Sequence, residues 1–360
     1  MLPHTLSRVV ESRSLTNTSA PPAQIVISTP NPDWAREVTE AEGTLAAYLS
    51  RAVSVSVSAA SAPITAAAGE DKNKKEPKPK PALTATPAPG VFDTRADLAR
   101  LTRVSIHNGL FPSVSEHGAR ETVLVFPDFK AVTEVEVSEE GAREVFERVL
   151  SPSVPLQAVP CARGATGTKT WFLRYSCVIL ICSHRKRDYR CWAVAPQLER
   201  AFTQSLEREG FDVHHQLEDP SLSGPALEDD PVFISTSLVP DEHDEERRAE
   251  VRRRLQQATE ERRALVLFCS HVGQHKFAGN VIVRLSFASV VRCRADEAHS
   301  TTFDLQINMP TGAAVWYGRV TPHEVDAIVR ETVVGGKVLP ALLRGGLNLC
   351  HPGRGGLNDW

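Results

Sequence analysis

No run of about 18 apolar residues occurs anywhere in the 360-residue chain, so no segment reads as a membrane-spanning helix. There is no dinucleotide-binding fingerprint, P-loop or nucleophile elbow to suggest that the chain turns over a substrate. An excess of positive charge is missing too. Lys and Arg number 41 against 44 Asp and Glu, a net charge of -3, and nucleic acid is not an expected partner without a basic face. The seven cysteines are an odd number without a secretory signal ahead of them, which argues against a disulfide framework and for a reducing compartment.

What is present is a globular composition. Hydrophobic residues make up 41% and charged residues 24%, while 25 prolines and 21 glycines point to substantial loops. The length is about twice that of a usual domain and predicts two. Before Asp33, Glu11 is the only acid among many Ser and Thr with Arg8 and Arg13. That composition fits a mitochondrial presequence and a disordered tail equally.

The pattern predicts an α/β fold. Gln24 to Ser28 reads as a strand and Thr39 to Ala52 as a helix, followed by an Ala/Ser/Pro-rich insertion, residues 58–90, that cannot bury enough apolar surface to order. Strands at Thr122 to Phe126 and Val132 to Val137 and a helix from Glu139 to Leu150 complete an N-terminal α/β domain, residues 24–150. After a Pro/Gly-rich boundary, residues 165–349 read as a second α/β domain with a mixed sheet. Its expected strands are Trp171 to Ser183, Val213 to Leu217, Val232 to Ser237, Ala264 to Ser270, Val281 to Val283 and Ala313 to Val320. Its expected helices are Ala195 to Glu209, the charged stretch Glu242 to Arg263, and Pro322 to Val334. Residues 1–23 and 350–360 read as tails.

Two residue pairs carry chemistry. Cys182 ends the apolar run CVILIC, and Cys191 follows after the eight residues SHRKRDYR, a length suited to a loop that leaves the sheet and returns. The basic members of that loop favour the thiolate form that metals need. Eighty residues after Cys191, the strand ALVLFCS ends in His271-Val272-Gly273-Gln274-His275, where Gly273 allows a tight turn between two imidazoles. Strands ending on a common sheet edge can bring both pairs together as a metal site. Cys182, Cys191, His271 and His275 would be its ligands, with zinc and an iron-sulfur cluster both open. The wide separation of the pairs is unlike a zinc finger and suits a fold-assembled centre better.

At these residues the sequence resembles the sucrase/ferredoxin-like family, which includes the actin patches distal and altered-inheritance-of-mitochondria proteins. The resemblance rests on DWAREVTEAEGTLAAYLS, CSHRKRDYRC, FTQSLEREGF, SHVGQHKFAGN, VWYGRVTPHEVDAIV and GGKVLPALLRGGLNL, and spans about Gln24 to Leu349. It implies a thioredoxin-like ferredoxin domain over 165–349 and a 2Fe-2S cluster bound by Cys182, Cys191, His271 and His275. Mixed ligation of this kind raises the reduction potential above that of an all-cysteine cluster and allows it to depend on pH. The implied activity is electron transfer or redox sensing in redox quality control, rather than substrate conversion, with the redox partner unknown. Gln274 stands where the family usually has glycine, and Asn280 after KFAG fits the family as a turn residue or outer contact. Arg284 to Gln306 intervenes where the family runs almost directly into the Trp316 strand, and reads as a long loop or a translated intron.

The chain ends in Asn358-Asp359-Trp360, similar to the acidic-aromatic tail by which the cytosolic iron-sulfur assembly targeting complex recognises some clients. The start of the chain leans toward the mitochondrion and its end toward the cytoplasm. Two other classes stay open. One is a thiol-disulfide oxidoreductase using Cys182 and Cys191, although reductases usually hold their cysteines two residues apart, and the other is a zinc-stabilised interaction module. Cys161, Cys177, Cys269, Cys293 and Cys350 read as buried or incidental thiols, with Cys269 a substitute ligand at most. His184 reads as an electrostatic member of the basic loop ahead of a competing ligand, and Arg319 and His323 as positioning the last helix.

Overall fold

The computed structural model of the protein describes residues 23–60, 104–115, 117–150, 166–230, 250, 253–254, 257–273, 275–286 and 313–347. The first half contributes β1 (Ala23–Thr29), α1 (Leu45–Ala60), β2 (Val104–Leu110), β3 (Arg120–Phe126), β4 (Lys130–Glu136) and α2 (Glu139–Val145). Next come β5 (Lys169–Phe172), β6 (Tyr175–Cys182), α3 (Tyr189–Arg208), β7 (Asp212–His214) and β8 (Glu260–Cys269). The last elements are β9 (Val281–Leu285), β10 (Ala313–Tyr317), α4 (Pro322–Ala327) and β11 (Leu343–Leu347). The α/β expectation holds, with a mixed sheet of 11 strands.

One sheet runs through both halves in the order β11-β10-β9-β6-β8-β2-β1-β3-β4-β5, with β7 also on β8. Alternation along each strand gives that sheet two apolar faces. Ile25, Ile27, Val123 and Val125 pack outward on α1 and α2 through Leu45, Leu49, Ala142 and Val145. In the other half, Ile179, Ile181, Val283 and Val315 face α3 and α4 through Leu198, Phe202 and Val325, and Val329 of the π-helical turn Ile328–Val334 that continues α4. The remaining faces meet each other: Val26, Phe111, Leu124 and Phe126 share one core with Leu180, Leu265, Leu267 and Ile282. The result is four layers, helices, half-sheet, half-sheet, helices. Each fully buried Leu, Ile or Phe contributes about 1.5–3 kcal/mol of apolar burial to those cores.

The half-sheets are joined at one place. Gly109 of β2 pairs with Cys269 at the end of β8, and just beyond it the Ser270 amide donates to the Asn108 carbonyl at 2.7 Å. The two expected ligand pairs flank this joint, because Cys182 and Cys269 are themselves register partners across the parallel β6–β8 pairing.

Tertiary pairing overrode several local expectations. The expected strand Trp171 to Ser183 is two strands: β5 pairs with β4, the chain breaks at Leu173-Arg174, and β6 enters the other half-sheet. Glu260 to Arg263, expected to close a charged helix, instead opens β8, held by β6 on one side and by β7 on the other. The helix expected from Ala195 begins at Tyr189. Strand β11 was not expected at all, since its sequence LRGGL is Gly-rich. Arg284 and Leu285, the first residues of the segment 284–306, close β9. The expected strand Val232 to Ser237, with Cys161, Gln274, Cys293, Cys350 and Trp360, lies outside the described residues.

Candidate metal centre

Cys182 is the last residue of β6, and Cys191 lies in the first turn of α3 rather than in the connecting loop. Asp188 makes that placement, because its carboxylate accepts the Arg190 amide hydrogen at 3.1 Å and caps the helix. Both thiols are buried, at 1% and 0% exposure, and hydrogen-bond to each other. That shared proton is the leading cause of a divided pair: Cys191 is drawn down to about 6, and Cys182 is held well above the usual thiol range. Burial opposes ionisation of both, while the Gly279 and Asn280 amides support the Cys191 thiolate and the Val272 amide faces Cys182.

The basic loop therefore acts differently from expectation. Hydrogen bonds, not its positive field, hold Cys191 low. Three of its cations are engaged by carboxylates: Lys186 with Asp33 at 2.8 Å, Arg187 with Glu37, and Arg190 with Asp188 at 2.9 Å. The loop is thus fastened to the segment after β1.

The residues that follow β8 form the opposite wall. His271 leaves the sheet half-exposed, and its backbone amide donates to Nδ1 of His184 at 3.2 Å. His184 is buried, edge-on to Trp34 with ring centroids 5.7 Å apart. It is a fixed acceptor that aims the His271 backbone, not the electrostatic loop residue expected, and burial lowers its basicity. Gly273 has a φ of +112, as the expected tight turn requires. His275 opens a 3-10 turn, His275–Phe277; its side chain lies outside the described residues.

Asn280 ties the two walls. Its amide nitrogen donates to the Gly273 carbonyl at 3.2 Å and approaches the Cys191 sulfur at 3.9 Å, and its carbonyl oxygen accepts from Arg344. The neighbouring Gly279 has a φ of +89, and a Cβ there would come within 2.5 Å of the Val320 carbonyl oxygen. Only glycine lets that loop bring its amide to the cysteine. Arg344 lies over the Phe277 ring at 4.4 Å, and both thiolates favour its charge although burial lowers it to about 10. Arg319 stacks on the same ring at 5.2 Å instead of positioning α4. That helix is capped by Thr321 and Glu324, with the His323 amide donating to Thr321.

Cys269 and Cys177 are buried thiols, as expected. Burial raises Cys177 to about 12 and Cys269 further still, although Cys269 is close enough to feel the charge of Cys191. Among the described residues, no three His, Cys, Asp or Glu side chains close on a single ion. The two sulfurs, sharing a proton and receiving backbone amides, fit the thiolate half of a two-metal centre.

The profile of one family, sucrase/ferredoxin-like, matches residues 15–345. The chain belongs to the sucrase/ferredoxin-like family. Among curated relatives of this family member, altered inheritance of mitochondria protein 32 of Debaryomyces hansenii is 26% identical over 275 residues, 71% of this chain and 73% of the relative. The protein of the same name from Clavispora lusitaniae is 24% identical over 253 residues, 67% of this chain and 64% of the relative. No solved structure matches.

His107 on β2 and Arg344 on β11 escaped the reading of the sequence. A lone arginine in an otherwise apolar, Gly-rich stretch was the one available sign of Arg344. His107 carried none, because its significance depends on the joint between the half-sheets.

Proposed function

We propose that this protein holds a 2Fe-2S cluster, with Cys182 and Cys191 on one iron and His271 and His275 on the other, and works in one-electron transfer or redox sensing. The observation that carries the reading is the buried Cys182–Cys191 pair, brought together from the end of β6 and the first turn of α3 with the Asn280 amide approaching Cys191. Cys191 is the readier thiolate, and a metal bound here must also displace the proton that Cys182 holds. When bound, the cluster supplies the one-electron chemistry, and neutral imidazoles raise its potential. This chain's residues do the rest. Amides of Gly279, Asn280 and Val272 offset thiolate charge, Arg344 balances it, and His184 fixes the backbone from which His271 projects.

The thioredoxin-like domain over 165–349 belongs to this proposal. β6 lies between parallel β8 and antiparallel β9, with α3 covering the face. A mitochondrial association is suggested by the names of the relatives, and recognition of Trp360 by the cytosolic iron-sulfur assembly targeting complex is the alternative address. Among the described residues, no helix is long and apolar enough to cross a membrane.

The decisive experiment is anaerobic purification with iron and sulfide analysis and electron paramagnetic resonance of the reduced protein. The expected result is about two irons per chain and a spectrum of mixed His/Cys ligation that His271→Ala changes. Colourless protein with stoichiometric zinc would overturn the proposal. A second reading, thiol-disulfide exchange by the same two cysteines, is favoured by their unequal hold on one proton. Disulfide reduction that survives loss of both histidines would select it.

A further inference from the structure

Beside the thiols, and lined by none of Cys182, Cys191 and His271, is a cavity of about 160 Å³. It exists only where the half-sheets close on each other, for Gln24, Ser105 and His107 come from β1 and β2, and Trp316 and Arg344 from β10 and β11. Among the described residues, no Asp or Glu lines it.

Its polar atoms are mostly donors. The Trp316 indole nitrogen, which can only donate, is buried without a hydrogen-bond partner. Nδ1 of buried His107 is equally unpaired, while Nε2 meets the Ser105 hydroxyl at 2.6 Å. Gln24 is turned as a donor. Its carbonyl oxygen accepts from Nε and Nη2 of Arg284, at 3.2 and 2.6 Å, leaving its amide hydrogens to the cavity.

Arg284 supplies the charge argument. It is 1% exposed, lies over the Phe126 ring at 5.1 Å, and makes no ion pair among the described residues, while Nη1 has no hydrogen-bond partner. A buried guanidinium answered only by a neutral amide is costly to maintain. The cavity, one residue away, is where a counter-charge from solution would stand.

We propose that this cavity binds a small oxyanion, a compact carboxylate or phosphate, held by Gln24, Trp316 and Arg344 with Arg284 behind Gln24 and His107 in the wall. Because Arg344 also donates to Asn280, which approaches Cys191, the bound anion and the thiolates draw on one guanidinium. Occupancy is therefore felt at the sulfur pair, whichever metal or none is there.

The test is titration of the purified full-length chain with malonate and, separately, inorganic phosphate, at constant ionic strength against chloride. Thermal unfolding and calorimetry are the readouts. A saturable rise in midpoint beyond the chloride control is expected for at least one of them; malonate alone indicates a planar carboxylate, phosphate alone a tetrahedral ion, and either supports the site. Trp316→Phe should weaken binding by roughly tenfold, the worth of one hydrogen bond to a charged group. Gln24→Glu gives Arg284 an internal carboxylate, so it should fold at least as stably as wild type in chloride and lose the anion response. Absence of any response beyond chloride in wild type, or an undiminished response in Gln24→Glu, would overturn the proposal.

Discussion

The two walls of the candidate centre are built on opposite plans. The cysteine wall grows out of regular structure, the end of β6 and the first turn of α3, with both sulfurs buried. The histidine wall is a loop leaving β8, half-exposed at His271 and held from behind by His184 and by Asn280. The two sulfurs are thus set by a strand end and a helix turn, while His271 is set by a loop and the groups behind it.

The largest predicted difference between the walls is in how pH acts on stability. Burial lowers His107, which stands against His271, from 6.5 to about 4, so the folded state takes up its proton later than the unfolded chain does. The stability this contributes is complete above pH 6.5 and is lost as pH falls toward 4, up to about 3 kcal/mol for this fully buried ring. Urea unfolding of wild type and His107→Gln across that window should show the variant with the flatter profile. Equal slopes would remove His107 from the histidine wall's support.

The cysteine wall is tested next, at the residue joining it to the other. Asn280→Leu removes a donor to Gly273 and Cys191 and an acceptor for Arg344, and iron retention against a chelator should fall about 10- to 100-fold. Retention equal to wild type would mean that the walls are independent. The smallest effect separates geometry from charge at α3. Asp188→Ala should cost about 1 kcal/mol as a lost helix cap. Asp188→Asn keeps the cap, and because the Asp188 charge raises Cys191, it should shift the thiolate absorbance of the metal-free chain to lower pH. An upward shift would contradict the assignment of Asp188 as a like-charge neighbour.

The cysteine wall was half legible in the sequence and the histidine wall less so. The apolar run CVILIC reads directly as a buried strand delivering Cys182, whereas SHRKRDYRC looks like a loop because its helix start is one aspartate before polar residues. His271 and Gly273 could be singled out by spacing. His184, Asn280 and Arg344 acquire their contacts only when β8, β6, β9, β10 and β11 assemble in one sheet. The same non-local pairing misled the reading of Glu260 to Arg263, where helical charge spacing lost to strand partners on both sides. The four-layer plan was invisible for a related reason, since alternation shows that a strand has two apolar faces but not that one face meets another half-sheet.

The pairing of β9 with β10 has a practical side. Ala313 stands opposite Leu285 in antiparallel register, so whatever lies between them departs and re-enters the fold one strand spacing apart. Doubling the length of such a connection costs only about 0.6 kcal/mol in closure entropy. That makes the position between these strands a natural socket for an inserted reporter.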